Sequence, residues 1–181
     1  MSVADPGLDF QRLQQALRPQ ARDQIFQKIV NAPFEQAVDT AFLFLGFICL
    51  YLADKRKKTI KLVAASHTEH YEMAVKGYEF DPDDYNIPLA NKDNDIVRAY
   101  LTGEKQVTLD WASLSRKEEN QDDARLNQAN SGIAYSVAYP LLPPAAGVLM
   151  FFYYQYQEDI DEPQYKFMEQ YVRLVSQTLK G

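Results

Sequence analysis

His67 and His70, in Ser66-His67-Thr68-Glu69-His70, sit three residues apart, so a helix would turn both rings to one side. With Glu69 beside them they could hold a metal ion. The pair does not follow a zinc-motif spacing, and a polar helix start accounts for it equally well, so no metal site is expected. Asp81-Pro82-Asp83-Asp84 gathers carboxylates. It lacks the ordered ligands and the glycine of a calcium loop, and an Asp/Pro turn explains it. Cys49 is the only cysteine and lies in an apolar run. A redox-sensing or chromophore-bearing thiol is the functional reading of it; a small buried side chain is the structural one, and the expected one. No glycine-rich phosphate loop, Gly-x-Ser-x-Gly or defensible Ser/His/Asp arrangement occurs.

The aromatic residues are more informative. Phe47 and Tyr51 share one parity of an apolar run, and Tyr135, Val137 and Tyr139 share one face of a later alternating segment. These five are the candidate ligand-binding residues: rings to stack on a flat molecule, hydroxyls to orient it. The alternative is that they fill the core. Phe151-Phe152-Tyr153-Tyr154-Gln155-Tyr156 is expected to be a strand exposing alternate tyrosines and not a binding box.

The 181 residues suit one domain with a real core, and 46% hydrophobic and 13% aromatic content argues against disorder. A net charge of −6 argues against nucleic acid as partner. One cysteine allows no internal disulfide and fits a reducing compartment. Met1–Pro6 has no basic start and no apolar run, so no secretory signal is expected. The longest apolar stretch, Ala41–Ala53, is about 13 residues against the roughly 20 that cross a bilayer. A cytoplasmic location is the expectation.

These residues must be positioned by elements that the periodicity outlines. Phe10, Leu13 and Leu17 predict a first helix before Pro19. Ile25, Phe26, Ile29 and Val30 predict a second, ended by Asn31-Ala32-Pro33, and Phe34–Phe44 a third. Phe47–Asp54 and Thr59–Ser66 read as a hairpin around Lys55-Arg56-Lys57-Lys58. That cationic tip could meet an anion, but a solvated turn that discourages edge pairing is the simpler account. A short helix follows at Thr68–Lys76, and a loop with an extended piece near Ile87–Leu89. Next come a helix through Ile96, Val97, Tyr100 and Leu101 closed by Gly103, a strand at Lys105–Trp111, and some helix at Asp122–Asn130. Gly132–Leu142 and Val148–Tyr154 form a second hairpin, and Asp161-Glu162-Pro163 starts the last helix, with its stripe Met168, Tyr171, Val172, Val175, Leu179. In Gly132–Leu142 the small face (Ala134, Ser136, Ala138) beside the bulky one suits a strand with a helix on one side and a cavity on the other.

The predicted fold class is α+β: an antiparallel sheet of about five to six strands, helices on one face, and N- and C-terminal helices packed together. Residues 1–33 are expected as a helical extension and 34–181 as the domain.

Four segments in this order resemble a GAF domain. They are the helix running into Phe47–Asp54, then Thr59–Ser66, then Ile96–Val107 with its Thr102-Gly103-Glu104 turn, and last Ile133–Leu142 with Gly147-Val148-Leu149. The resemblance spans roughly Phe34 to Leu179. It implies a ligand pocket between the sheet and the elements on its distal face, and terminal helices that form a homodimer bundle. A PAS domain is the nearest rival; the Thr-Gly-Glu segment and substantial terminal helices favour GAF.

The functional expectation is a non-catalytic sensory or regulatory domain. It would bind a small molecule or a protein partner and signal through its terminal helices; the ligand and any cofactor are unknown from sequence. The alternative is a structural dimerisation or adaptor domain with a filled pocket. An enzyme such as a free methionine sulfoxide reductase is disfavoured, since that group is similar by a cluster of cysteines and this chain has only Cys49.

Overall fold

The computed structural model describes residues 10–18, 21–36, 44–76, 85–115, 121–144, 146–154 and 161–180. Ten residues, Leu45–Asp54, form the central strand β1, and both of its faces are buried through Tyr51. Its apolar run therefore shows no polar alternation. β2 (Thr59–Ala65) returns beside it. The turn between them is set by Asp54, whose Oδ1 accepts hydrogen bonds from the backbone N–H groups of Arg56 and Lys57 at 3.0 and 3.1 Å. β3 (Asn86–Pro88) pairs with the outer edge of β2.

On the other side of β1 lie β6 (Gly147–Tyr153), β5 (Tyr135–Pro140) and β4 (Gln106–Thr108). Among the described residues this is one six-stranded antiparallel sheet, ordered β3-β2-β1-β6-β5-β4. The close fit of β6 against β1 explains Gly147. A Cβ there would lie 2.1 Å from the Tyr51 carbonyl oxygen, a distance no side chain can occupy.

The terminal helices α1 (Phe10–Ala16), α2 (Arg22–Glu35) and a long C-terminal helix gather on one face, as the sequence predicts. The other helices do not join them. α3 (Glu69–Val75), α4 (Asp95–Thr102), a single 3-10 turn (Trp111–Leu114) and α5 (Gln121–Ser131) cover the opposite face. A central sheet whose strands are apolar on both faces needs a cover on each. The C-terminal helix is α6 (Glu162–Thr178), which places Pro163 in its first turn.

α2 corrects one expectation. Asn31-Ala32-Pro33 does not end it; the helix runs through Pro33 to Glu35. Proline removes the N–H that would bond the carbonyl of Ile29, and the Tyr171 hydroxyl of α6 donates to that oxygen instead, at 2.5 Å. Most of the predicted third helix, 37–43, lies outside the described residues. Leu13, Leu17, Ile25, Ile29 and Val30 share one core with Phe167, Tyr171 and the inner face of the sheet, so α1 and α2 pack on the sheet together with α6. Ser66 ties α2 to β1: its Oγ donates to Val30 O at 2.7 Å and accepts from Ile48 N at 2.9 Å.

The predicted Lys105–Trp111 strand is shorter than expected, ending at Thr108. Trp111 instead opens the 3-10 turn, whose start is capped by Asp110 accepting from Ala112 N at 2.9 Å. The α4 helix closes at Gly103 with φ +71°, a backbone conformation that favours glycine.

Candidate functional site

Alternation along β1 turns Phe47, Cys49 and Tyr51 toward the face covered by α3, the Trp111 turn and α5. Phe152 is the β6 neighbour of Phe47, and the two rings stack with centroids 4.0 Å apart at 15°. Trp111 meets both edge-on, at 6.3 Å from Phe47 and 5.4 Å from Phe152. Tyr71 of α3 adds a further edge contact to Phe47 at 5.5 Å.

A cavity of about 130 Å³ opens above this aromatic floor. Tyr71, Ala74 and Val75 of α3 and Ala124 and Asn127 of α5 roof it, and Tyr85, Leu62, Leu114 and Ser115 complete its wall. None of the described residues lining it is an Asp, Glu, Lys, Arg or His. Burial, above all, drives the Tyr51 hydroxyl well above its usual range, with Cys49, Tyr85 and Tyr71 nearby adding to the effect. The Cys49 thiol and the Tyr71 hydroxyl are pushed up for the same first reason. The described lining is thus uncharged near neutral pH, because ionising any of these groups would place a charge in a largely desolvated site.

Polar contacts hold the wall in place. Trp111 Nε1 donates to Ser136 Oγ at 3.0 Å, under the small-residue face of β5. Asp95, 4% exposed at the start of α4, accepts from Thr108 Oγ1 and Ser113 Oγ at 2.6 Å each and also pairs with Arg98. Asn94 caps α4 through Ile96 N at 2.9 Å and donates to Leu114 O at 2.7 Å. The roof is fastened lightly. Gln128 of α5 accepts from Trp111 N at 3.0 Å and donates to Leu109 O at 2.8 Å, and Arg125 pairs with Asp110 at 2.9 Å. Leu126 on α5 is 59% exposed, and Ser131 is the buried residue of that helix.

The five residues singled out from sequence divide between the two faces. Phe47 and Tyr51 line the cavity. Tyr135, Val137 and Tyr139 belong to the core under the terminal helices. Tyr135 stacks on Tyr153 at 5.1 Å and donates to Gln164 Oε1 at 2.9 Å; Tyr139 meets Phe151 edge-on at 6.1 Å. Cross-strand partners share a face, and Tyr135, Val137 and Tyr139 pair with Tyr153, Phe151 and Leu149 of β6, the face opposite Phe152. Ser136 and Ala138 of the small face are turned toward the cavity side, where they admit the Trp111 indole, while Ala134 packs with the opposite core. Sequence reasoning missed Trp111, Tyr71, Tyr85 and Phe152. Only the shared parity of Phe152 with Val148 and Met150 could have marked one of them.

His70 stacks on Tyr154 at 4.5 Å, with Nδ1 2.8 Å from Ser131 O, and His67 is exposed. Among the described residues no three His, Cys, Asp or Glu side chains gather as metal ligands. The Asp81–Asp84 cluster lies outside the described residues. Among those residues, no helix is long and apolar enough to cross a membrane. The predicted stripe of α6 (Met168, Tyr171, Val172, Val175) is buried within this chain, and Glu169, Gln170, Arg173 and Gln177 face outward.

No protein-family model and no curated protein sequence matches the chain. Solved structures do. The GAF domain of an Acinetobacter phosphoenolpyruvate-protein phosphotransferase is 15% identical, with a TM-score of 0.61 over 94% of this chain and 89% of that one. The GAF domain of a Coxiella burnetii phosphoenolpyruvate-protein phosphotransferase is 10% identical, with the same TM-score of 0.61 and the same coverages, 94% and 89%. The free methionine-R-sulfoxide reductase of Neisseria meningitidis, solved with its substrate, is 13% identical with a TM-score of 0.57, covering 93% and 84%. The chain therefore has a GAF-like fold, an arrangement shared by the GAF domains of two phosphotransferases and by a reductase.

Proposed function

We propose that this chain is a sensory or regulatory GAF-like domain that binds a small molecule between its sheet and the α3/α5 roof. It passes the state of that cavity to another polypeptide. The observation that carries this reading is the neutral, ring-lined cavity beneath a roof secured by polar contacts. An occupant that packs against α3 and α5 favours one position of the roof over others, which is how a ligand shifts a conformational equilibrium. The hydrogen bonds of Ser66 to Val30 and of Gln27 Nε2 to Ala65 O, at 2.7 and 2.8 Å, couple the sheet beside the cavity to α2. Catalysis by a thiol relay has little to work with here: Cys49 is the chain's one cysteine, it is buried, and its thiol is held protonated.

Native mass spectrometry of protein purified from its own cells tests the reading. The expected result is a retained small molecule that is absent from Ala124→Leu, whose longer side chain fills the space under α5. A wild-type protein that retains nothing, and whose α3 and α5 exchange amide hydrogens identically with and without a cell metabolite extract, overturns it.

A further inference from the structure

We infer that the occupant of this cavity is an uncharged, single-ring aromatic molecule carrying one hydroxyl or comparable polar group, of the size of a phenol. This rests on the binding role proposed for the same cavity and adds to it the chemical class of the ligand.

Three features of the chamber select that class. The first is size: about 130 Å³ is close to the ~150 Å³ of an engineered apolar cavity that accepts benzene. That volume accommodates one six-membered ring. The second is charge. No described lining residue is ionisable near neutral pH, and an unpaired carboxylate or ammonium moved into such surroundings loses its hydration without a counter-charge. The third is shape and surface. Phe47 and Phe152 present a stacked pair, Trp111 and Tyr71 stand edge-on to Phe47, and Tyr85 tilts against Tyr51 at 6.4 Å. A flat ring inserted among them meets faces and edges together, the arrangement aromatic quadrupoles favour. Tyr51 and Tyr71, whose hydroxyls can each donate and accept, line the cavity; they are the groups a ligand hydroxyl would bond, Tyr51 alongside its contact with the Cys49 thiol.

Trp111 is the chain's only tryptophan and it lines the cavity, so its emission reports occupancy directly. Purified protein freed of retained small molecules is titrated with phenol, benzoate and cyclohexanol while Trp111 alone is excited. Phenol is expected to change the emission saturably. Benzoate and cyclohexanol are expected to bind at least about tenfold more weakly, the first for its charge and the second for its lack of a ring face. In Ala124→Leu, shown to be folded by circular dichroism, the phenol response is expected to disappear. Benzoate or cyclohexanol matching phenol, or a linear phenol response unchanged in Ala124→Leu, overturns the assignment of class. Mass spectrometry keeps that failure separate from failure of the binding role: a retained molecule of another class, lost in Ala124→Leu, leaves the binding role standing while this inference falls.

Discussion

The hydroxyl of Tyr171 donates to the backbone carbonyl of Ile29 at 2.5 Å, across 142 residues of sequence. It supplies Ile29 O with a donor that Pro33 cannot provide. A buried carbonyl left without a donor costs about 1–3 kcal/mol, so Tyr171→Phe is expected to lower stability by that order in urea denaturation. Pro33→Ala restores a backbone donor four residues after Ile29. Tyr171→Phe should then cost less in the Pro33→Ala background than in the wild type. Equal losses in both backgrounds would show that the two donors do not substitute for one another.

The two sheet faces predict opposite phenotypes for two tyrosines. Tyr51 lines the cavity, whereas Tyr135 is bonded to Gln164 beneath α6. Tyr51→Phe should change phenol affinity by roughly two- to tenfold, as losing one neutral hydrogen bond does, with a small change in urea midpoint. Tyr135→Phe should lower the urea midpoint by an amount equivalent to about 1 kcal/mol and leave phenol affinity unchanged. Fluorescence titration and urea denaturation of both variants decide the matter.

Arg125 holds α5 to Asp110 at the surface, with half of its side chain exposed. Exposed ion pairs contribute at most about 1 kcal/mol. Arg125→Ala should therefore barely move the global unfolding midpoint. Hydrogen exchange should nevertheless accelerate in 121–131, since so little apolar contact otherwise retains that helix. Unchanged exchange there would mean that the Gln128 bonds suffice.

Alkaline pH should unfold the protein in a defined window. Tyr135 is pushed up to about 12, chiefly by burial, and Tyr51, Tyr71, Tyr139, Tyr153 and Tyr171 are also raised. Unfolded tyrosines ionise near pH 10. Below that pH both states keep the proton and the stabilisation is complete. Above it the unfolded chain holds fewer protons than the folded one, so stability falls as pH rises through 10 toward 12. Urea midpoints measured alongside phenolate absorbance should be flat with respect to these groups up to about pH 10 and then decline. The phenolate absorbance of these six of the chain's twelve tyrosines should appear together with unfolding.

Local periodicity made much of the architecture legible. The run Phe47–Asp54, the helix ending at Gly103, the α6 stripe and the late hairpin are all visible as sequence patterns, because each is set by contacts within a few residues. The antiparallel α+β class and the GAF-like order of elements follow from them. The sequence also sets the chemistry available to the cavity wall: one cysteine, one tryptophan and many tyrosines.

The tertiary structure alone decided which face each strand turns toward the cavity. A two-residue period says that Tyr135 and Tyr139 share a face, but their pairing register with β6 determines which one. That register sets them under α6, and the register of β6 with β1 puts Phe152 beside Phe47. Trp111 and Tyr71 reach the same cavity from segments far apart in sequence, on a short turn and a short helix that carry no periodic signal. Pro33 shows the same division. Its missing donor is legible in the sequence as a reason for a helix to stop, yet the helix continues to Glu35, and a hydroxyl from the far end of the chain donates to the carbonyl that Pro33 leaves without its usual partner.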